Sequence, residues 1–392
     1  MNEARGNGRQ LGLALFAFTA TFYGWALLGP LGPELQDDLG LSDLQLSVAV
    51  AVPVLLGSLM RIPMGVLAER FGGRRVFTWL LAYSILPLVA LAFVHDSFAA
   101  IIVLGFLLGF AGASFPIGVP FVNRWYPPER QGAALGIYGA GMGGTVLAGL
   151  TAPRIADATD ITVSFLVAAA LIAIALVVWI ALAEDAPGPM KTSSMRDPIA
   201  VLGTGMRAWA LVLFYFLAFG GFVALYLYLP KLLTSVHDLS KTDAGARAAG
   251  FALLAVIGRP LGGVISDRIG AERVLLVSFV VVLVLALGLA VSYESMVPLT
   301  ICCLVIAAAL GLAMGAVFKL VPVWYPDRVG AVTGIVAAAG GLGGFFPPLV
   351  MGVVKSATGG YALGFVLMAA VAAGCLVLLR ALHRPEPAPA PA

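Results

Sequence analysis

Long apolar runs, separated by short polar segments, dominate the hydropathy pattern of the chain. The hydrocarbon core of a bilayer is about 30 Å thick, so a helix needs about 20 apolar residues to cross it. The pattern shows runs of this length rather than the alternating segments of about 10 residues that are typical of β-barrels. It therefore predicts an all-α integral membrane protein with twelve transmembrane helices. The predicted spans are 11–33, 43–66, 76–94, 98–123, 131–153, 161–183, 207–231, 244–266, 274–293, 297–323, 329–353 and 361–382.

Composition supports this class of protein and excludes others. Of the 392 residues, 61% are hydrophobic and 11% are charged, whereas soluble domains carry about 25% charged residues. This excludes a water-soluble enzyme and a disordered chain. The 23 basic residues are dispersed among loops, so we expect no nucleic-acid partner. The cysteines lack metal-ligand spacing and the spans hold no catalytic constellation, so we expect no metal, no cofactor and no enzymatic activity.

The distribution of basic residues predicts the orientation. With the N-terminus inside, fifteen Lys and Arg residues fall on the inner segments and five on the outer ones. Because basic residues concentrate on the cytoplasmic side, we expect a multi-pass protein of the cell (inner) membrane with both termini in the cytoplasm. The longest polar stretch predicts a division into a six-helix bundle at 1–183, a cytoplasmic linker at 184–206, a second six-helix bundle at 207–383 and a disordered tail at 384–392.

Two loops reveal an internal repeat. Residues 65–75 read GVLAERFGGRR and residues 263–273 read GVISDRIGAER, at an offset of 198. Parallel repeats of this kind indicate two bundles related by a pseudo-two-fold axis along the membrane normal. The first loop resembles the G-x-x-x-D/E-R-x-G-R-R signature of the major facilitator superfamily. We expect the acids and arginines of the loops to pair and to separate as the bundles rock; the alternative is a basic loop that only sets topology. The candidate gating residues are Glu69, Arg70, Arg74, Asp267, Arg268 and Arg273.

Two arginines lie within predicted spans, again 198 residues apart. An arginine at mid-helix costs about 2.5–3.5 kcal/mol on insertion scales, yet no Asp or Glu occupies the interior of any span. Arg61 and Arg259 are therefore predicted to face each other, with the counter-charge supplied by a ligand or a water-filled cavity. The flat guanidinium fork suits a planar oxyanion, which favours an anion transporter. The alternatives are snorkelling and hydrogen bonds to backbone carbonyls.

Aromatic and glycine residues add candidates around these arginines. Tyr215 and Phe219 are four residues apart and share one helix face, and Phe115 lies in the middle of span four. They are candidate pocket walls, with ordinary helix packing as the alternative. Spans five and eleven are dense in glycine, which predicts mobile, pore-lining helices and has close packing as its alternative. The glycines are Gly132, Gly136, Gly139, Gly141, Gly143, Gly144, Gly334, Gly340, Gly341, Gly343 and Gly344.

Together these motifs resemble the nitrate/nitrite porter family of the superfamily, whose signatures are glycine-rich stretches on helices five and eleven. The resemblance implies nitrate or nitrite as the substrate, with Arg61 and Arg259 as substrate arginines and Tyr215, Phe219 and Phe115 as their aromatic neighbours. Residues 137–142 lack the asparagine-bearing motif of the exchangers in this family. Lys319 also stands where those exchangers commonly carry a neutral residue. Both departures make the chain more similar to the assimilatory and symporter branch.

Lys319 is the third cation within a predicted span. Buried lysines can lose their proton near neutral pH, so it is the candidate for proton coupling without a carboxylate; the alternative is a bond to carbonyls near the cytoplasmic end. We expect import of nitrate or nitrite by proton symport. A nitrate/nitrite antiporter, a carrier of another small anion and a non-transporting nitrate sensor stay open as alternatives. The expected partners are the anion, protons and the lipid bilayer, and by resemblance the protein is a monomer.

Overall fold

The computed structural model describes residues 6–189, 194–358 and 360–382. Twelve long helices run through these residues. Three of them contain a turn that is not α-helical, described with the site below. The helices are α1 (Gly8–Trp25), α2 (Asp43–Phe71), α3 (Gly73–Phe93), α4 (Phe98–Asn123), α5 (Pro128–Ala158), α6 (Ile161–Leu182), α7 (Met206–Tyr215 continuing through Gly221–His237), α8 (Lys241–Ile269), α9 (Ala271–Ser292), α10 (Met296–Trp324), α11 (Val329–Thr358) and α12 (Ala362–Leu382).

Within the described residues, eleven of these helices are long and apolar enough to cross a membrane. The exception is α1, which begins with the polar Arg9 and Gln10 and ends at Trp25, short of the predicted limit at residue 33. After Trp25 the backbone forms tight turns, such as Gly29 N to Ala26 O at 3.1 Å. Pro30 has no amide hydrogen to donate to the carbonyl oxygen of Ala26, and a separate short helix, Gly32–Leu39, follows the turns. The predicted span therefore extends beyond α1.

The helix starts and loops repeat across the two halves of the chain. Ser42 and Ser240, which are 198 residues apart, cap the starts of α2 and α8 by accepting from the amides of Gln45 and Asp243 at 3.3 and 3.1 Å. The tight loops that follow these helices contain Gly72 and Gly270, with φ of 87° and 89°. Such positive φ values favour glycine, so the backbone conformation of the loop explains why glycine recurs at this position of the signature.

The two halves meet at two equivalent helix pairs, α2 with α11 and α8 with α5. A Cβ atom added at Gly132 would lie 2.6 Å from the carbonyl oxygen of Gly263, so these backbones are in direct contact. One turn further on, a Cβ at Gly136 would lie 2.9 Å from Arg259 O, and one at Gly334 would lie 2.8 Å from Arg61 O. The signature glycines therefore bring each half's arginine-bearing helix against the other half.

The predicted linker at 184–206 contains one short helix in its described part, Asp197–Leu202. Arg124, just after α4, donates from Nη2 to the carbonyl oxygens of Ala186 and Gly188 at 3.1 and 3.0 Å. The start of the linker is thus tied to the first half of the chain. The predicted tail at 384–392 lies outside the described residues.

Candidate anion-binding site

Three helices depart from α-helical geometry around the predicted site. The α4 helix contains a 3₁₀ turn at Gly109–Ala113, α5 contains one at Ala140–Gly143, and α7 contains a π turn at Phe216–Gly220. Phe115 lies just after the turn in α4, and Tyr215 and Phe219 lie at the start and inside of the turn in α7. Non-α turns within helices often mark functional sites.

Arg61 extends from α2 towards α11 and is 2% exposed. Its Nε donates to the carbonyl oxygen of Gly112 at 3.0 Å, and its Nη1 donates to that of Ala337 at 2.8 Å. The Arg61 Cζ atom lies 5.2 Å from the centroid of the Phe219 ring. The carbonyl bonds that the sequence left open as an alternative are therefore present at this arginine.

Arg259 extends from α8 towards α5 and is 1% exposed. Its Nη2 donates to the Tyr215 hydroxyl at 3.2 Å, and its Nη1 lies 3.3 Å from the thioether sulfur of Met142. Its Cζ lies 4.3 Å from the centroid of Phe115 and 5.7 Å from that of Phe318. The second arginine thus sits among aromatic rings and weak acceptors.

The aromatic residues form one continuous cluster. Tyr215 and Phe219 stack with centroids 5.5 Å apart and planes at 8°, as their shared helix face predicts. Phe318 of α10 meets both Phe115 and Tyr215 edge to face, at 4.6 and 4.7 Å. The sequence reasoning missed Phe318, Met142 and Tyr138, because nothing in one helix indicates which of its aromatic or sulfur-containing side chains faces a partner helix.

The charge of the two guanidinium groups has no carboxylate partner. In the part of the chain that the structure describes, no Asp or Glu lies within ion-pair distance of Arg61 or Arg259. A guanidinium has five N–H donors, and in each arginine two of them have acceptors among the described residues. Three donors per arginine therefore have no acceptor among these residues, in a site closed to solvent where a hydrogen bond to an anion is strong.

The glycines of the two signature helices make room for this cluster. A Cβ atom at Gly139 would lie 2.7 Å from Cζ of Arg259, and one at Gly341 would lie 3.0 Å from Nη1 of Arg61. Gly340 faces the Tyr215 ring. The other predicted glycines contact neighbouring helices: Gly141 and Gly144 contact α1, Gly343 and Gly344 contact α7, and Gly143 faces Val256 of α8.

The acids of the two gating loops bind the starts of helices in the opposite half. Glu69 accepts from the amide of Gly330 at 2.7 Å, at the start of α11. Asp267 accepts from the amides of Gly132 and Ala133 at 3.1 and 2.7 Å, near the start of α5. A helix N-terminus carries unpaired N–H groups and partial positive charge. The two acids therefore join the halves at the predicted cytoplasmic end.

The arginines of these loops lie elsewhere. Arg70 is exposed with Cζ 5.3 Å from the Phe71 ring, and Arg74 donates from Nη2 to the carbonyl of Ile180 at 3.0 Å within its own half. Arg268 and Arg273 are exposed. At Asp267 the structure therefore differs from the expected pairing of acid with arginine. The partners of Asp267 are backbone amides and a lysine, because the helix N-terminus already supplies positive charge there.

Lys319 also differs from its sequence expectation. Its Nζ lies 2.7 Å from Oδ1 of Asp267, and it donates to the carbonyl oxygen of Pro128, before α5. The lysine thus has a carboxylate partner and lies in the gate. Lys319 lies close to the end of α10 at Trp324, as the predicted span also has it, and the carbonyl bond that the sequence left open as an alternative is present.

Comparisons with known proteins agree with this architecture. The sequence model of the Major Facilitator Superfamily matches residues 14–290 and 211–392. The chain is 39% identical to the probable nitrate/nitrite transporter NarK2 of Mycobacterium tuberculosis, over 98% of each chain. It is 37% identical to the nitrite extrusion protein of Bacillus subtilis, over 94% of this chain and 93% of the relative. The resemblance noted in the sequence is confirmed, and the relatives are named as transporters.

A solved structure shows the same fold. The human organic anion transporter MFSD10 superposes with a TM-score of 0.81, over 95% of this chain and 99% of that chain, at 18% sequence identity. At that identity the similarity concerns the fold alone. The expected all-α membrane architecture is confirmed.

Proposed function

We propose that this chain, which belongs to the nitrate/nitrite porter family of the Major Facilitator Superfamily, imports nitrate across the cell membrane by alternating access. Nitrite is the second candidate substrate. One observation carries the proposal: two buried arginines, one from each half of the chain, contact the same stacked pair of Tyr215 and Phe219 and have no carboxylate partner in the described residues.

The surroundings of the arginines favour a small planar anion. Each guanidinium fork can donate two parallel hydrogen bonds to two oxygens of one oxyanion. The rings of Phe115 and Phe318 lie 4.3 and 5.7 Å from Cζ of Arg259, and the ring of Phe219 lies 5.2 Å from Cζ of Arg61. Flat rings this close to the guanidinium groups favour a small planar ligand over a bulky organic carboxylate. The names of the relatives that match over nearly the whole chain agree with nitrate or nitrite.

The position of the gate contacts supports alternating access. The bonds of Glu69 and Asp267 join the halves at one end of the molecule. A bound anion between Arg61 and Arg259 removes the repulsion of the two cations and draws the halves together around it. Opening at the predicted cytoplasmic end then requires the two carboxylates to release the helix starts, which frees the anion on that side.

We further propose that uptake is driven by proton symport, with Lys319 as the coupling candidate. The negative-inside potential opposes the uptake of one anion by about 2.3 kcal/mol per 100 mV. At least two protons per nitrate are then needed for the potential itself to favour uptake. Lys319 contacts Asp267 within the gate, so loss of its proton removes one of the attractions that hold the gate closed.

A nitrate/nitrite antiporter is the second candidate function, because one relative is named as a nitrite extrusion protein. Exchange requires nitrite on the opposite side and no proton. In either case both termini lie in the cytoplasm in our proposal. We also propose that the protein acts as a monomer, as its resemblance to the superfamily implies.

The test is nitrate uptake into proteoliposomes that contain a pH dye, with and without nitrite inside. Nitrate uptake with internal acidification and without nitrite supports proton symport, and Lys319→Met should then abolish the acidification. Uptake only into nitrite-loaded vesicles establishes exchange and removes Lys319 from the mechanism. Absence of uptake in both arrangements, from protein that is shown to be folded, contradicts nitrate transport and leaves the sensor or another anion.

A further inference from the structure

One turn of α4 contacts both arginines. The 3₁₀ turn at Gly109–Ala113 ends where the helix resumes at Phe115. Pro116 has no amide hydrogen, so the carbonyl oxygen of Gly112, four residues earlier, lacks its helical donor. That oxygen accepts from Arg61 Nε at 3.0 Å. Three residues further on, the Phe115 ring lies 4.3 Å from Cζ of Arg259.

A fully buried tyrosine of α5 is bonded to this same turn. The Tyr138 hydroxyl donates to the carbonyl oxygens of Ser114 and Phe115, at 3.0 and 3.2 Å. Its ring stacks on Phe115, with centroids 5.6 Å apart and planes at 13°. The neighbouring turn of α4 has glycine at Gly118, where a Cβ atom would lie 2.6 Å from the Tyr138 ring. The Tyr138 side chain thus fills a space that any side chain at Gly118 would occupy.

The equivalent positions in the second half of the chain carry no such anchor. At the repeat offset of 198, Tyr138 corresponds to Val336 and Phe115 corresponds to Ala313. The valine side chain cannot donate a hydrogen bond, and the alanine side chain has no aromatic ring that could contact a guanidinium group. The anchor is therefore a property of the first half, and it acts on the side chains of both halves.

We infer that Tyr138 is a positioning residue of the anion site, which holds the broken turn of α4 so that Gly112 O and the Phe115 ring orient the two guanidinium groups. This inference rests on the proposed nitrate site. Without the hydroxyl, the turn loses its link to α5, and Arg61 and Arg259 lose a fixed spacing. The expected consequence is weaker nitrate binding rather than a slower conformational cycle.

The test compares Tyr138→Phe with Tyr23→Phe in the full-length protein. Tyr23 is a matched control, since its hydroxyl lies 2.9 Å from Thr151 Oγ1 and also joins a neighbouring helix to α5 within the first half. We expect Tyr138→Phe to raise the KM for nitrate about three- to tenfold, the range that one neutral hydrogen bond supplies, with little change in maximal rate. Tyr23→Phe should leave KM unchanged.

Thermal unfolding in the presence and absence of nitrate provides a second measurement that does not depend on transport. Nitrate should raise the unfolding midpoint of wild-type protein and of Tyr23→Phe, and should do so for Tyr138→Phe only at higher concentration. Equal KM and equal nitrate protection for Tyr138→Phe and wild type would overturn the positioning role. Absence of nitrate protection in wild type itself contradicts the proposed function instead, so the two failures are distinguishable.

Discussion

Arg61 and Arg259 occupy equivalent positions in the two halves of the chain, but their partners differ in kind. Arg61 donates to two backbone carbonyl oxygens, at 3.0 and 2.8 Å. Arg259 donates to one phenol, approaches one thioether and lies among three aromatic rings. Carbonyl oxygens are strong acceptors, whereas a thioether is a weak one.

The difference suggests a division of labour between the halves. The carbonyls of Gly112 and Ala337 fix the Arg61 guanidinium in place, so Arg61 also stabilises the contact between α2 and α11. Arg259 loses weaker hydrogen bonds than Arg61 does when it binds an anion, because its present partners are weaker acceptors. In the proposed site, the first arginine therefore combines binding with structure, and the second is the more available ligand.

The gates also differ at one position of the repeat. Glu69 and Asp267 each bind a helix start in the opposite half, and Asp267 forms an ion pair with Lys319. At the repeat offset of 198, Phe121 stands in the first half where Lys319 stands in the second. The Lys319 ion pair is therefore a feature of the second half.

The largest expected effect separates the two arginines. Arg259→Lys should weaken nitrate binding about 100-fold, because a paired, charge-assisted contact is lost, while the thermal unfolding midpoint changes little. Arg61→Lys should weaken binding similarly and also lower the midpoint by a few degrees, since a buried carbonyl without a donor costs about 1–3 kcal/mol. Nitrate binding and thermal unfolding of both purified variants provide the measurement. Equal thermal unfolding midpoints for the two variants would contradict the structural role assigned to Arg61 alone.

The aromatic neighbours of the two arginines should differ in how much they contribute to nitrate binding. Cation–π contacts contribute about 0.5–2 kcal/mol, and Phe115 lies closer to its arginine than Phe219 does, at 4.3 against 5.2 Å. Phe115→Leu should therefore raise the KM for nitrate about tenfold, and Phe219→Leu about threefold. Uptake kinetics measure both changes. A larger effect at Phe219 would reverse the comparison.

The ion pair between Lys319 and Asp267 predicts a smaller effect. Lys319→Met should increase the population open at the predicted cytoplasmic end about two- to fivefold, the range expected for one modest ion pair. Spin labels at the exposed positions Glu129 and Ile269 report the distance between α5 and α8. Arg273→Met removes an exposed cation in the first turn of α9 and serves as the control. An unchanged distance distribution in Lys319→Met means that the ion pair does not hold the gate.

The smallest expected effect concerns the thioether beside Arg259. Met142→Leu keeps the volume of the side chain and removes the sulfur that lies 3.3 Å from Nη1. Because the displaced acceptor is weak, nitrate affinity should stay within about threefold of wild type, with any change towards tighter binding. Met314→Leu, a buried methionine of α10, is the matched control. A tenfold loss of affinity in Met142→Leu alone would show that the sulfur orients Arg259.

Much of the membrane architecture was predictable from the sequence, because the length of an apolar run and the repeat offset are properties of the chain itself. Arg61, Arg259 and the stacked pair of Tyr215 and Phe219 follow from spacing along single helices. The early end of α1 was missed, since hydropathy counts apolar residues whether or not Pro30 permits a helix.

The remaining site residues depend on contacts between distant helices. Phe318 and Tyr138 enter the cluster because α10 and α5 present those particular faces, which one sequence cannot reveal. Likewise, the sequence makes Lys319 a candidate for proton coupling without a carboxylate, but it does not show that Asp267 lies 2.7 Å from this lysine. The two residues are far apart in sequence, and only the packing of α8 against α10 brings them together.

The central claim is that Arg61 and Arg259 jointly bind the transported nitrate. Uptake of isotope-labelled nitrate into proteoliposomes, with wild type, Arg61→Lys and Arg259→Lys reconstituted in equal folded amounts, tests it most directly. The account predicts uptake by wild type and near-background uptake by both variants at nitrate concentrations that half-saturate wild type. Uptake by either variant within twofold of wild type would contradict it.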